Sequence, residues 1–155
     1  PKTDAMDYDI EVVELPPRPA AVVRRAKIRP DDVGAFVATA VGEVMTVVRR
    51  QGVLPAGPPF TRYGRSADGV LEVEVGVPTS APVRDVGRVA AMELPGGRAV
   101  RTRHTGPYAG VGAAHEAVTH WMTQHGLAVR DLPWESYLDG PEVPRPRTDV
   151  VVPCQ

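Results

Sequence analysis

The chain has 155 residues, 43% of them apolar and 24% charged, with 18 basic residues against 19 acidic ones and a formal net charge of −1. That is one domain's worth of chain, long enough to bury about 70% of its unfolded surface without disulfide or metal staples. The charge balance excludes bulk electrostatic attraction to nucleic acid or to an anionic membrane, and the single cysteine, Cys154, excludes an intramolecular disulfide.

The stretch from Pro1 to Asp9 is polar and lacks a signal-peptide core. No apolar run approaches the ~20 residues needed to span a bilayer, so the expected compartment is the cytoplasm. Glu14-Leu15-Pro16 then opens an Arg/Val-rich strand through Arg25. Arg24, Arg25, Lys27 and Arg29 read as exposed strand arginines rather than a nucleic-acid patch. A first helix is predicted over roughly 32–51. Phe36, Val37, Ala40, Val41, Val44 and Val48 recur at spacings of three and four, Pro30 and Asp31 mark its start, and Gly52 marks a left-handed stop. Phe60 to Gly64 follows as a strand. Leu71, Val73, Val75 and Val77 alternate with Glu72, Glu74 and Gly76, the pattern of an antiparallel strand with one buried face. Residues 80–87 form a link.

The second half repeats these features in order. Glu93-Leu94-Pro95 matches Glu14-Leu15-Pro16, and Arg98 to Arg103 matches the Arg/Val run. A second helix is predicted over roughly 108–125, with Val111, Ala114, His115, Val118, Trp121, Met122 and His125 on its stripe and Gly126 as its stop. Trp134-Glu135-Ser136-Tyr137 falls where Phe60-Thr61-Arg62-Tyr63 stood, and Val150-Val151-Val152-Pro153 closes the half. The fold class is α+β, with strand, strand, helix, strand, strand in each half, about eight antiparallel strands, and helices on one side. The repeats run over about 8–79 and 87–155 of a single domain.

His104-Thr105-Gly106-Pro107-Tyr108, the helix with Trp121, His125-Gly126-Leu127, the Trp134 to Pro141 segment and the closing Arg147 to Pro153 form a series. This series resembles the GyrI-like small-molecule-binding domain, which also serves as the effector-binding part of AraC- and MerR-type drug-responsive regulators. The likeness covers nearly the whole chain. It implies a duplicated strand-helix-strand-strand (SHS2) module with a pseudo-twofold, and a cleft between the repeats for hydrophobic, often cationic, compounds. It also implies a polar anchor at the glutamate of the Glu-x-Tyr element, which here is Glu135. Regulators of this kind carry a DNA-binding domain, for which the chain before Tyr8 leaves no room; a stand-alone bacterial member with no direct nucleic-acid contact is expected.

From the residues alone, Glu135 is either an edge-strand glutamate turned to water or a pocket carboxylate among rings; the resemblance selects the pocket. Trp134, Tyr137, Tyr63, Phe60, Tyr108 and Phe36 are the candidate aromatic lining, and Trp121 is read as core. The repeat pairs Tyr63 with Tyr137 but Thr61 with Glu135, so charge sits on one side only. Cation–π contact would add ~0.5–2 kcal/mol per ring. His115, Glu116 and His120 imitate a zincin helix, but a spacing of five turns the second histidine about 140° away. No metal and no cofactor are expected. Gly106, Gly110 and Gly112 match no phosphate-loop spacing. The functional expectation is a multidrug-binding module. The alternative is a hydrolase opening strained cyclopropane rings of DNA-alkylating natural products, with Glu135 activating water and Tyr137 or Tyr63 steadying the phenolate. A partner regulator or gyrase contact is the third reading.

Overall fold

A computed structural model describes residues 8–155. Its elements run β1 (Glu11–Leu15), β2 (Arg18–Arg25), α1 (Val33–Arg50), β3 (Phe60–Arg65), β4 (Leu71–Pro78), β5 (Val89–Leu94), β6 (Gly97–Thr105), α2 (Val111–Gln124), β7 (Trp134–Tyr137) and β8 (Arg147–Pro153). Short 3-10 turns, Pro30–Asp32 and Tyr108–Gly110, lead into the two helices. The eight antiparallel strands and two helices are the α+β order read from the sequence.

The chain divides into two compact units. One is Pro17–Pro95, with strands in the order β3-β4-β2-β5. The other is Gly96–Gln155 together with residues 8–16, with strands in the order β1-β6-β8-β7. Each sheet therefore takes one strand from across the repeat boundary: β5 pairs with β2, and β1 pairs with β6.

In the unit of Pro17–Pro95, α1 lays Phe36, Ala40, Val44 and Val48 on Ala21, Val23, Val73, Val75 and Val77. Burying a valine side chain is worth about 1.5–3 kcal/mol, so this stripe holds the helix to the sheet. The glutamate face of β4 is partly covered too. Gly76 is needed where β4 meets β2, because a Cβ there would lie 1.8 Å from the Ala21 carbonyl oxygen. In the other unit, Val111, Ala114, Val118 and Met122 of α2 pack on Val100, Val150 and Val152. Both helices end in the same left-handed motif. Val53 N–H bonds to the Val48 carbonyl across Gly52 (φ 71°), and Leu127 N–H bonds to the Met122 carbonyl across Gly126 (φ 66°).

Candidate functional site

Strand β7 is only four residues long. Its alternation sends Trp134 and Ser136 to one face and Glu135 and Tyr137 to the other. Glu135 lies opposite Val150 and Tyr137 opposite Thr148; on β6 the same rungs continue to Thr102 and His104. Val150 belongs to the core beneath α2, so Glu135 faces that helix. The face is valine-rich at one end and polar at the other.

Glu135 is 8% exposed. Its Oε2 accepts a hydrogen bond from His115 Nε2 at 2.6 Å, and its Oε1 accepts one from the Tyr137 hydroxyl at 3.0 Å. A carboxylate oxygen can only accept, so His115 carries its hydrogen on Nε2. A buried carboxylate left without donors would cost several kcal/mol, whereas each charge-assisted bond returns about 1.5–3 kcal/mol. His115 reaches this position because it shares the α2 stripe with Val111 and Val118.

Aromatic rings extend the site outward. Tyr108 meets Tyr137 edge-on, with centroids 5.6 Å apart and planes at 64°. The Tyr108 hydroxyl donates to the Asp139 carbonyl at 2.5 Å. Burial, followed by the negative charges of Glu142 and Asp139, raises the Tyr108 pKa above its usual value, so the phenol keeps its donor proton. Asp139 is fixed in turn by Arg147, which gives it a guanidinium bond at 2.8 Å and a backbone N–H at 3.0 Å. The Arg147 guanidinium holds the Asp139 carboxyl below its ordinary range. On the neighbouring rung, His104 Nε2 bonds to the Pro107 carbonyl at 3.1 Å and Nδ1 bonds to the Tyr8 hydroxyl at 3.0 Å. This links β6 to the turn that starts α2. Thr148, between His104 and Tyr137, is fully buried, and its hydroxyl has no hydrogen-bond partner among the described residues.

The structure thus brings Glu135, Tyr137 and Tyr108 together and adds His115. Trp134 is 2% exposed, on the face of β7 away from Glu135. Trp121 stacks on His125 at 3.9 Å. Phe36, Phe60 and Tyr63 belong to the unit of Pro17–Pro95. Phe36 is in its core, with the Arg25 and Arg88 guanidinium groups 5.7 and 5.8 Å from the ring centre. Phe60 is fully buried, and Tyr63 packs against the α1 core. The sequence places His115 on the helix stripe and in a mis-spaced zinc motif, but does not pair it with Glu135. The usable signal was a histidine in an apolar stripe, which needs a polar partner across the interface. Among the described residues, no three His, Cys, Asp or Glu side chains cluster to hold a metal ion, and no helix is long and apolar enough to cross a membrane.

The sequence profile of the GyrI-like small molecule binding domain matches residues 8–155. The chain belongs to the GyrI-like family. No curated protein sequence matches it. Among solved structures, this GyrI-like domain is similar to the C-terminal domain of EcmrR, with a TM-score of 0.82 at 19% identity over 96% of this chain and 98% of that one. It spans 58% of the EcmrR chain seen in a complex with DNA. It is also similar to SAV2435 bound to tetraphenylphosphonium, with a TM-score of 0.72 at 14% identity over 95% and 94% of the two chains. A hydrolase from Listeria innocua matches with a TM-score of 0.61 at 15% identity over 100% and 93%. At such identities these likenesses establish the fold.

Proposed function

We propose that this GyrI-like domain binds hydrophobic, often cationic, aromatic compounds, with Glu135 as the charged anchor and Tyr137 and Tyr108 as ring contacts. One observation carries the reading: a carboxylate at 8% exposure accepts hydrogen bonds from His115 and Tyr137 beside a pair of edge-packed phenol rings. Burial strengthens its attraction for a cation relative to water, and the rings add cation–π contact. The tetraphenylphosphonium complex of SAV2435 supports this ligand class. A shape-tolerant site of this kind suits micromolar affinity, about −8 kcal/mol. The test is calorimetric titration with tetraphenylphosphonium and with neutral triphenylphosphine oxide. Glu135→Gln is expected to weaken the cation about tenfold or more while sparing the neutral compound. Equal loss for both would remove Glu135 from the anchor role.

The His115–Glu135 contact favours a second reading, hydrolysis, in which Glu135 accepts a proton from an attacking water. In that step a C–O bond forms to the strained ring carbon, the ring C–C bond breaks, and its electron pair passes to the conjugated oxygen steadied by Tyr137. The similarity to the Listeria innocua hydrolase gives this reading its weight. Mass analysis of the recovered compound separates the two: unchanged mass means binding, and the mass of one added water means hydrolysis.

A further inference from the structure

We infer that the Thr148 hydroxyl is a second polar contact of the Glu135 site, and that it selects aromatic ligands carrying a hydrogen-bond-accepting oxygen. The inference rests on the reading of the Glu135 face as a ligand site and adds the chemistry that the ligand presents one rung away from its charge. Thr148 is fully buried, and its Oγ1 has no hydrogen-bond partner among the described residues. Its rung runs from Tyr137 on β7 to His104 on β6, and the neighbouring rung carries Glu135, Val150 and Thr102. The polar groups beside it are engaged: the Tyr137 hydroxyl with Glu135, both His104 ring nitrogens with Pro107 and Tyr8, and the Thr102 hydroxyl with the Asp9 carbonyl. A buried hydroxyl without a partner is unfavourable relative to a methyl group in the same place. A ligand ring that enters between Tyr108 and Tyr137, which meet edge-on, comes to lie over the rung of Tyr137 and Thr148.

The other repeat holds a valine in the equivalent place. Val73 pairs with Tyr63 as Thr148 pairs with Tyr137, and it is buried in the core beneath α1. Valine has the shape of threonine with a methyl group for the hydroxyl, so the frame packs at this position without a polar atom. Thr79 is also a buried threonine without a hydroxyl partner, but it lies just past β4 and pairs with Pro55, not with a ring or a charged group. Thr148 alone combines the orphan hydroxyl with a rung of the site. An unmet donor is tolerated less readily than an unmet acceptor, so the fitting ligand atom is an acceptor, such as a carbonyl oxygen. Glu135 and Thr148 are diagonal neighbours, a separation of about 7–8 Å. The positive charge and the oxygen of the ligand therefore belong on opposite sides of one aromatic ring.

The test compares wild type, Thr148→Val, Thr148→Ser and Glu135→Gln by calorimetric titration with two cations of equal charge, tetraphenylphosphonium and (4-acetylphenyl)triphenylphosphonium. Wild type should bind the acetyl compound about tenfold more tightly. Thr148→Val should remove that advantage and leave tetraphenylphosphonium unchanged, while Thr148→Ser should keep it. No preference in wild type, a preference retained by valine, or an equal loss of both cations in valine overturns the inference. Glu135→Gln should weaken both cations alike. If it spares both while the acetyl preference still depends on Thr148, the anchor reading fails and the Thr148 contact stands. If wild type binds neither cation, both fail. Urea unfolding without ligand gives an answer that needs no titration. Thr148→Val should raise the midpoint, because it removes an unmet hydroxyl and installs the side chain the other repeat uses. A lowered midpoint would show that the hydroxyl is already bonded in the unliganded chain, and overturns the inference.

Discussion

Eleven residues before the glycine that closes α1 stands Val41, and nine after it stands Thr61; the same counts from Gly126 reach His115 and Glu135. The neighbouring positions keep their character. Phe60 and Trp134 are both buried on the face away from the helix, and Tyr63 and Tyr137 both lie on the helix-facing side. In one unit, then, a fully buried threonine lies on the face that Val41 and the rest of α1 pack against. In the other, a carboxylate and an imidazole occupy the equivalent positions at 2.6 Å. The exchange is physically a double one. A glutamate placed under a valine would leave a buried charge without its donor, and a histidine over a threonine would lose its carboxylate acceptor. The repeated frame holds a polar pair on one side because each member supplies the other's partner.

The sharpest way to break that comparison is to undo the exchange one residue at a time. His115→Val is expected to destabilise the domain by about 2 kcal/mol, because Glu135 loses a charge-assisted donor while staying buried. Adding Glu135→Thr should recover at least half of that loss. Urea unfolding of the two single variants and the double variant measures the coupling. Strictly additive losses would mean that the two residues are independent, and that the repeats differ by two unrelated substitutions.

A smaller effect tests where the repeats are equivalent. Gly52 and Gly126 have φ of 71° and 66°, and a Cβ at either would meet nothing within 4 Å. Alanine at each position therefore incurs backbone strain alone, about 1 kcal/mol. Equal shifts in thermal midpoint are expected. A clear excess at one site would show that the two helix ends are held differently despite their matching hydrogen bonds.

What was legible in the sequence follows the same division. The helix ends were readable because only a glycine suits the left-handed stop, and α1 and α2 close where Gly52 and Gly126 predict. The start of the second helix was read at Tyr108, whereas Tyr108–Gly110 is a 3-10 turn and α2 begins at Val111; two nearby glycines and Pro107 weaken the α-helical first turn. Alternation in β2 and β4 identified faces but not partners. That β1 pairs with β6 and β5 with β2 depends on contacts distant in sequence, which no local period encodes. At the site, the resemblance singled out Glu135 and Tyr137, while His115 showed only its place on a stripe. Its partner is 20 residues away and on another element.

The smallest expected effect concerns the turns that end β3 and β7. Asp68 holds the first turn through the Ser66 hydroxyl and the Val70 N–H, and these bonds lower its pKa. Asp139 holds the second through Arg147, and that pairing lowers its pKa. In both cases the folded pKa lies below the unfolded one, so the contribution to stability is present above the ordinary aspartate range. It is lost as pH falls through the folded pKa. Salt should separate them, because the Debye length falls to about 3 Å at 1 M. A guanidinium–carboxylate contact on the surface is screened, while hydroxyl and amide donors are not. Carboxyl carbon NMR titrations at low and high salt should move the Asp139 midpoint upward and leave that of Asp68 in place. Equal movement of both would mean that the Asp139 turn is held by its backbone N–H bond from Arg147 and not by the ion pair, and the two turns would then be alike in mechanism as well as in position.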